Sequence, residues 1–177
     1  SGKIMVWKAS PDGTESASGS LPSIANASFH EVGTAIVLQD STKPVIAGAQ
    51  MPLVINPESG YGFIAARMTT ALVPDASFAG TGSVLHDTVP AASQAQAQSA
   101  AVQPDGKIVI AGHFDNKVAI VRYLPNGSLD SGFGDNGMVT LNLGASARAY
   151  KVLLDAAGDI YVAGHATNGT DQDFVVA

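Results

Sequence analysis

The chain has 177 residues, enough to bury one ordinary hydrophobic core. Its 15 Asp and Glu outweigh 9 Lys and Arg, and the net charge of −6 with no basic cluster argues against a nucleic-acid partner. It contains no cysteine, which excludes a disulfide framework and thiolate chemistry, and no apolar run approaches the roughly 20 residues that span a bilayer.

Only 14% of residues are charged and 19 are Gly, a balance that favours closely packed β structure over a charged helical surface. The start, Ser1-Gly-Lys3, has no signal-peptide apolar region, so any export signal is expected to be removed or to lie outside this chain. Lys3-Ile-Met-Val-Trp-Lys8 reads as an orphan fourth strand, followed by a turn at Pro11-Asp-Gly-Thr14. Val45-Ile-Ala-Gly48 and Phe63-Ile-Ala-Ala-Arg67 read as two strands separated by an inserted loop at residues 49–60, whose two prolines oppose a continuous ladder. Residues 87–99 form a second long connection, and its Ala- and Gln-rich part, 91–98, is expected to be a loop with room for one helical turn.

Beyond it, Ile108-Val-Ile-Ala-Gly112 follows a Pro104-Asp-Gly106 turn, in which Pro presets φ and Gly supplies the positive φ of the reversal. Val118-Ala-Ile-Val-Arg-Tyr123 ends in a Pro125-Asn-Gly127 turn. Residues 137–143 alternate as a strand, and residues 149–154 and 159–163 form a hairpin closed by Asp155-Ala-Ala-Gly158. Phe174-Val-Val-Ala177 begins one more strand.

These elements recur in a fixed order. The Ala-Gly pairs end at 48, 112 and 164, spaced by 64 and 52 residues. Cations ending apolar runs fall at Lys8, Arg67 and Arg122, spaced by 59 and 55. Eight residues past each Arg stands an Asp, Asp75 or Asp130, then a Phe, Phe78 or Phe133, and four residues later Gly82 or Gly137. The fold class is therefore all-β: about three repeats of roughly 55 residues, each a four-stranded antiparallel sheet, the content of a β-propeller blade. Approximate units are 3–14 (partial), 15–75, 76–130 and 131–177, all within one propeller segment. Three units are too few to close a propeller, which takes roughly four to eight. Further blades, from another copy or another chain, are expected to complete a larger ring.

Gln103-Pro-Asp-Gly-Lys-Ile-Val-Ile-Ala-Gly112, Val121-Arg-Tyr-Leu-Pro-Asn-Gly-Ser-Leu-Asp130 and Phe133-Gly-Asp-Asn-Gly137 resemble the bacterial delta-60 repeat. Residues 150–177 fit that pattern more loosely. The copy from 34 to 82 departs from it, with Ser41-Thr-Lys43 and Thr70-Ala-Leu72 in place of the two glycine turns. The resemblance implies propeller blades in a secreted or surface-exposed bacterial protein, and it transfers no catalytic residue.

His113 and His165 both directly follow Ala-Gly, so repeat symmetry places them on one ring, where they could face a common axial pocket; the first copy has Ala49 there. Repeated Arg67 with Asp75 and Arg122 with Asp130 point to architecture, since catalysis needs one special copy. Asn and Asp clusters read first as turn residues, and Asn168, Asp171 and Asp173 are the preferred Ca²⁺ candidate among them; no cofactor is otherwise implied. No nucleophile elbow and no phosphate-cradling glycine loop occurs. Two functions follow. One is a non-catalytic binding or scaffold module that recognises a glycan, peptide or protein through its inserted loops, with Gln50, Asn56, Glu58, Tyr61, His113 and His165 as ligand-binding candidates. The alternative is a propeller-type hydrolase or lyase whose axial pocket His113 and His165 would line.

Overall fold

The computed structural model describes residues 3–21, 29–52, 61–86, 94–167 and 169–177. Among them every regular element is a strand. Two sheets have four antiparallel strands each. The first contains β3 (Phe29–Gln39), β4 (Lys43–Pro52), β5 (Gly62–Arg67) and β6 (Ser83–His86). The second contains β7 (Ala95–Val102), β8 (Ile108–Phe114), β9 (Lys117–Tyr123) and β10 (Met138–Leu141). A three-stranded sheet follows, of β11 (Ser146–Leu154), β12 (Ile160–Thr167) and β13 (Gln172–Val176). Ahead of them β1 (Met5–Ala9) pairs with β2 (Glu15–Ser20). We call the three larger sheets blades I, II and III. They are phased one strand away from the sequence units, since β6 closes the sheet that β3 opens.

The apolar alternation explains how blades stack. One face of blade I (Val45, Ala47, Phe63, Ala65) packs on the opposite face of blade II (Ala97, Ala100, Ile110, Val121). The next interface repeats this, with Val109, Ala111, Val118 and Ile120 of blade II meeting Ala149, Val152 and Val162 of blade III. Val6 of β1 and Ile4 just before it cover part of the remaining face of blade I, around Ile46, Ala66 and Met68. Strands buried on both faces read as continuous apolar runs, which is why β5 and β8 carry almost no polar residue. The innermost strands β3, β7 and β11 adjoin one another, so the first strand of every blade lines the common axis.

The Ala-Gly marker has a structural cause. Each first strand carries a β-bulge, between Gly33 and Ala35, between Ala97 and Ser99, and between Ala149 and Lys151. Gly48, Gly112 and Gly164 each pair with the residue just before the bulge, and a Cβ there would collide with the carbonyl oxygen of Val32, Gln96 or Arg148. The bulge swings a carbonyl over the second strand, and only Gly leaves room.

Three expectations need correction. Residues 49–52 belong to β4, because Pro52 falls at the strand's last position, where no further ladder bond is required. Residues 95–99 belong to β7, not to a loop, because alternate residues Ala95, Ala97 and Ser99 are buried against neighbouring blades; residues 91–93 lie outside the described set. Ile4-Met-Val-Trp-Lys8 is not alone, since Met5 to Ala9 pairs with Ser20 to Glu15.

The candidate binding end of the blades

Strand polarity divides the molecule into two ends. The turns after the first and third strands of each blade share one end and tie blades together. There Gln39 Nε2 donates to the Gly106 carbonyl of the next blade at 2.6 Å, and Gln103 Nε2 donates to the Gly158 carbonyl at 3.1 Å. Arg67 is the hub of this end. Its Nε donates to Asp75 Oδ2 at 2.9 Å, Nη1 to Gln39 Oε1 and to the Pro125 carbonyl of blade II, and Nη2 to Ser77 Oγ. Its guanidinium also lies 5.0 Å from the Phe78 ring centroid. Blade II repeats the core of this arrangement, with Arg122 Nε to Asp130 Oδ2 at 2.8 Å and the guanidinium 4.3 Å from Phe133. The Ser77 hydroxyl and amide, then Arg67 and Lys43, hold the Asp75 carboxyl down at about 2 against the opposing effect of burial. The repeated Arg, Asp and Phe are thus architectural, as repetition implied.

The opposite end is where β4 stops and β5 starts, where β6 stops and β7 starts, and where β8, β12 and their successors meet. Both inserted segments attach there. At this end Asp115 N donates to the Gln94 carbonyl and Gln94 N to Asp115 Oδ1, which extends the β7–β8 ladder within blade II, and Ala147 N donates to the Asn116 carbonyl of the neighbouring blade. Positive φ at Asp115 and Asn116 makes the two-residue reversal between β8 and β9, a conformation Asn and Asp tolerate better than other side chains do.

Four proposed ligand-binding residues lie at this end. Gln50, buried in β4, pairs across strands with Glu31 and Gly62, and half-buried Tyr61 immediately precedes β5. His113 is buried at the end of β8 and half-buried His165 sits at its equivalent in β12. Asn56 and Glu58 lie outside the described residues, as does Asn168. Asp171 and Asp173 flank the start of β13 with exposed side chains.

Burial first, then the charges of Arg148 and His165, push the His113 imidazole down to about 4, so it is neutral at physiological pH. Its Nδ1 is buried without a hydrogen-bond partner among the described residues. Arg148 pairs across strands with His165 and makes no ion pair among the described residues. The His165 ring in turn stacks on Tyr150, with centroids 5.3 Å apart and planes tilted by 38°. Tyr150 is the bulge residue of β11 and stays 52% exposed. Sequence reasoning missed it and Arg148 because it treated β11 as a regular strand; only the bulge turns Tyr150 out beside His165. Among the described residues no three His, Asp or Glu side chains gather as a metal would require.

A protein-family profile described as "Domain of unknown function (DUF5122) beta-propeller" matches residues 103–133, the part of blade II from its first turn to Phe133. That stretch contains the Gln103 tie and the Arg122–Asp130 pair, so the match and the blade geometry rest on the same residues. The chain is thereby similar to propeller-type repeat proteins. No curated protein aligns significantly with it.

Proposed function

We propose that this chain is a non-catalytic binding and scaffold segment of a larger, closed β-propeller, of the delta-60 repeat kind and secreted by or displayed on bacteria. It recognises a glycan, peptide or protein through the end of the blades that bears the inserted segments. The observation that carries this reading is the exposed Tyr150 ring, stacked on His165 beside Arg148. An open aromatic face receives the apolar face of a sugar or a side chain, and an adjacent guanidinium donates two parallel hydrogen bonds to a carboxylate. Such a surface binds without needing a proton donor and acceptor in one pocket. His113, held neutral and about 96% buried, is poorly placed to exchange protons with a substrate.

Isothermal titration against neutral oligosaccharides, acidic oligosaccharides and acidic peptides tests this. Binding by one class, weakened at least tenfold in Tyr150→Ala, is expected. No binding by any class at millimolar ligand would overturn the recognition reading. Turnover of a ligand, lost in His113→Ala or His165→Ala, would instead favour a hydrolase or lyase with an axial pocket lined by those two histidines.

A further inference from the structure

Both ends of the row of blades carry an apolar face of the kind that is buried between blades. On blade III the pairing registers align Leu153 with Ala101 and Val37, Tyr161 with Val109 and Val45, and Val176 with Ile120 and Ala65. Val45, Ala65 and Val109 are fully buried in blade-to-blade contacts, whereas Leu153 is 60% exposed and Tyr161 48%. At the other end β1 and β2 cover only the outer part of blade I. Ile36 and Leu38 of its innermost strand remain exposed, although their equivalents in blades II and III pack against a neighbour. Between them and β1 runs a groove of about 510 Å³, floored by Ile36 and Ile46 and walled by Ile4 and Val6. Among the described residues β1 pairs with β2 alone, so no described strand occupies its other edge, and β1 residues line this groove. The groove is thus a slot for the first two strands of a blade whose last two strands, β1 and β2, are already in place.

We propose that a second copy of this chain fills the slot: β11 and β12 of one copy join the edge of β1 in the other, and the reciprocal contact closes a ring of six blades. The inference rests on the blade reading and is independent of the ligand reading. Two heterologous contacts related by a half-turn close on themselves, and six blades fall within the usual range. The docking strands bring the required face, because Leu153 and Tyr161 would then meet Ile36 and Leu38, as Val37 and Val45 meet blade II.

The tie between turns supports this match specifically. At interfaces I–II and II–III a Gln side chain donates to a Gly carbonyl. Blade III has Asp155 where the Gln stands, and blade I has Thr42 where the Gly stands. Both departures fall on the two halves of one contact, the one that a second copy would make. There a Thr42 hydroxyl can donate to the Asp155 carboxylate, which a Gly could not do. One strand must yield: β13 and β1 both correspond to the third strand, and β13 has the weaker hold, since its inward side chain Val175 is only half-buried while Val6 of β1 and the preceding Ile4 are buried against blade I. β1 of the partner replaces β13 at the edge of β12, which pairs the partner's Val6 with Ala163.

The test uses light scattering together with a crosslink, in a chain that has no cysteine of its own. The full chain is expected to have twice the mass of the 17.9 kDa monomer. The double variant Val6→Cys and Ala163→Cys is expected to give a covalent dimer on oxidation, whereas either single variant gives none. Leu153→Asp is expected to yield a monomer with an unchanged β-type circular dichroism spectrum. A monomer at high concentration, a higher oligomer, or a dimer that does not crosslink at this pair overturns the proposal while leaving the blades intact. A spectrum without β character would overturn the blade reading itself.

Discussion

Replacing Asp75 by Ala removes the carboxylate from the most enclosed cation in the molecule. The Arg67 side chain is 6% exposed and that of Asp75 10%, so the charge left behind stays buried. Breaking a buried pair in this way costs about 3–5 kcal/mol. Here Arg67 keeps Gln39, Ser77 and the Pro125 carbonyl as acceptors, which places the loss near the lower limit, about 3 kcal/mol. For a chain of this size each kcal/mol lowers the melting temperature by about 2–4 °C, so a drop of about 6–12 °C is expected. Differential scanning calorimetry measures it against Glu15→Gln, a change at an exposed position of β2. Asp130→Ala should fall between the two, because the Arg122 side chain is 19% exposed. An Asp75→Ala melting temperature no lower than that of Glu15→Gln would refute the hub as a source of stability and with it the structural reading of the repeated Arg and Asp.

Other expectations follow from the same geometry. Asp75, depressed to about 2, contributes stability that is complete above the ordinary carboxyl value and is lost as pH falls from about 4 through 2; the acid limb of a denaturation profile should flatten in Asp75→Asn. His113 acts in the same direction: between about 4 and 6.5 the unfolded chain binds a proton that the folded chain refuses, so stability rises with pH across that window and is lost on acidification. An NMR titration should leave the His113 ring unprotonated at pH 5.5, and a His113 transition near 6.5 would contradict its burial. Gly112→Ala forces a Cβ against the Gln96 carbonyl and should destabilise by well over the roughly 1 kcal/mol of an average substitution, measured by urea unfolding; a neutral result would remove the bulge explanation. Chelation with EDTA is expected to leave the melting temperature unchanged, since no three His, Asp or Glu side chains gather among the described residues; a calcium-dependent rise lost in Asp171→Ala would establish a cation site around Asp171 and Asp173 instead.

The blade content of the chain was legible because its markers are physical necessities. Arg122, Asp130 and Phe133 form one ion pair and one cation–ring contact, as Arg67, Asp75 and Phe78 do, and Gly112 makes room for a carbonyl, as Gly48 and Gly164 do. The two glycine turns likewise announce themselves through the positive φ of Gly106 and Gly127. The beginning of β7 was hidden because Gln94 to Gln98 alternates Ala with Gln, a strand pattern written in residues that also suit a helix. Its small Ala side chains are there because Ala95 and Ala97 pack against blade I near the crowded axis. The candidate site was legible only in part. Spacing placed His113 and His165 at one level of neighbouring blades, but the exposure of Tyr150 depends on a bulge, and a bulge leaves no mark on the strand that carries it. Its sign lies on the partner strand, in Gly164.

An experimentally determined structure of the intact assembly tests the whole account most directly. Four-stranded sheets side by side, β3, β7 and β11 facing one axis and a neighbour covering Leu153 and Tyr161, are the expected result. A free-standing sandwich, or an assembly in which those two side chains remain in water, would contradict it.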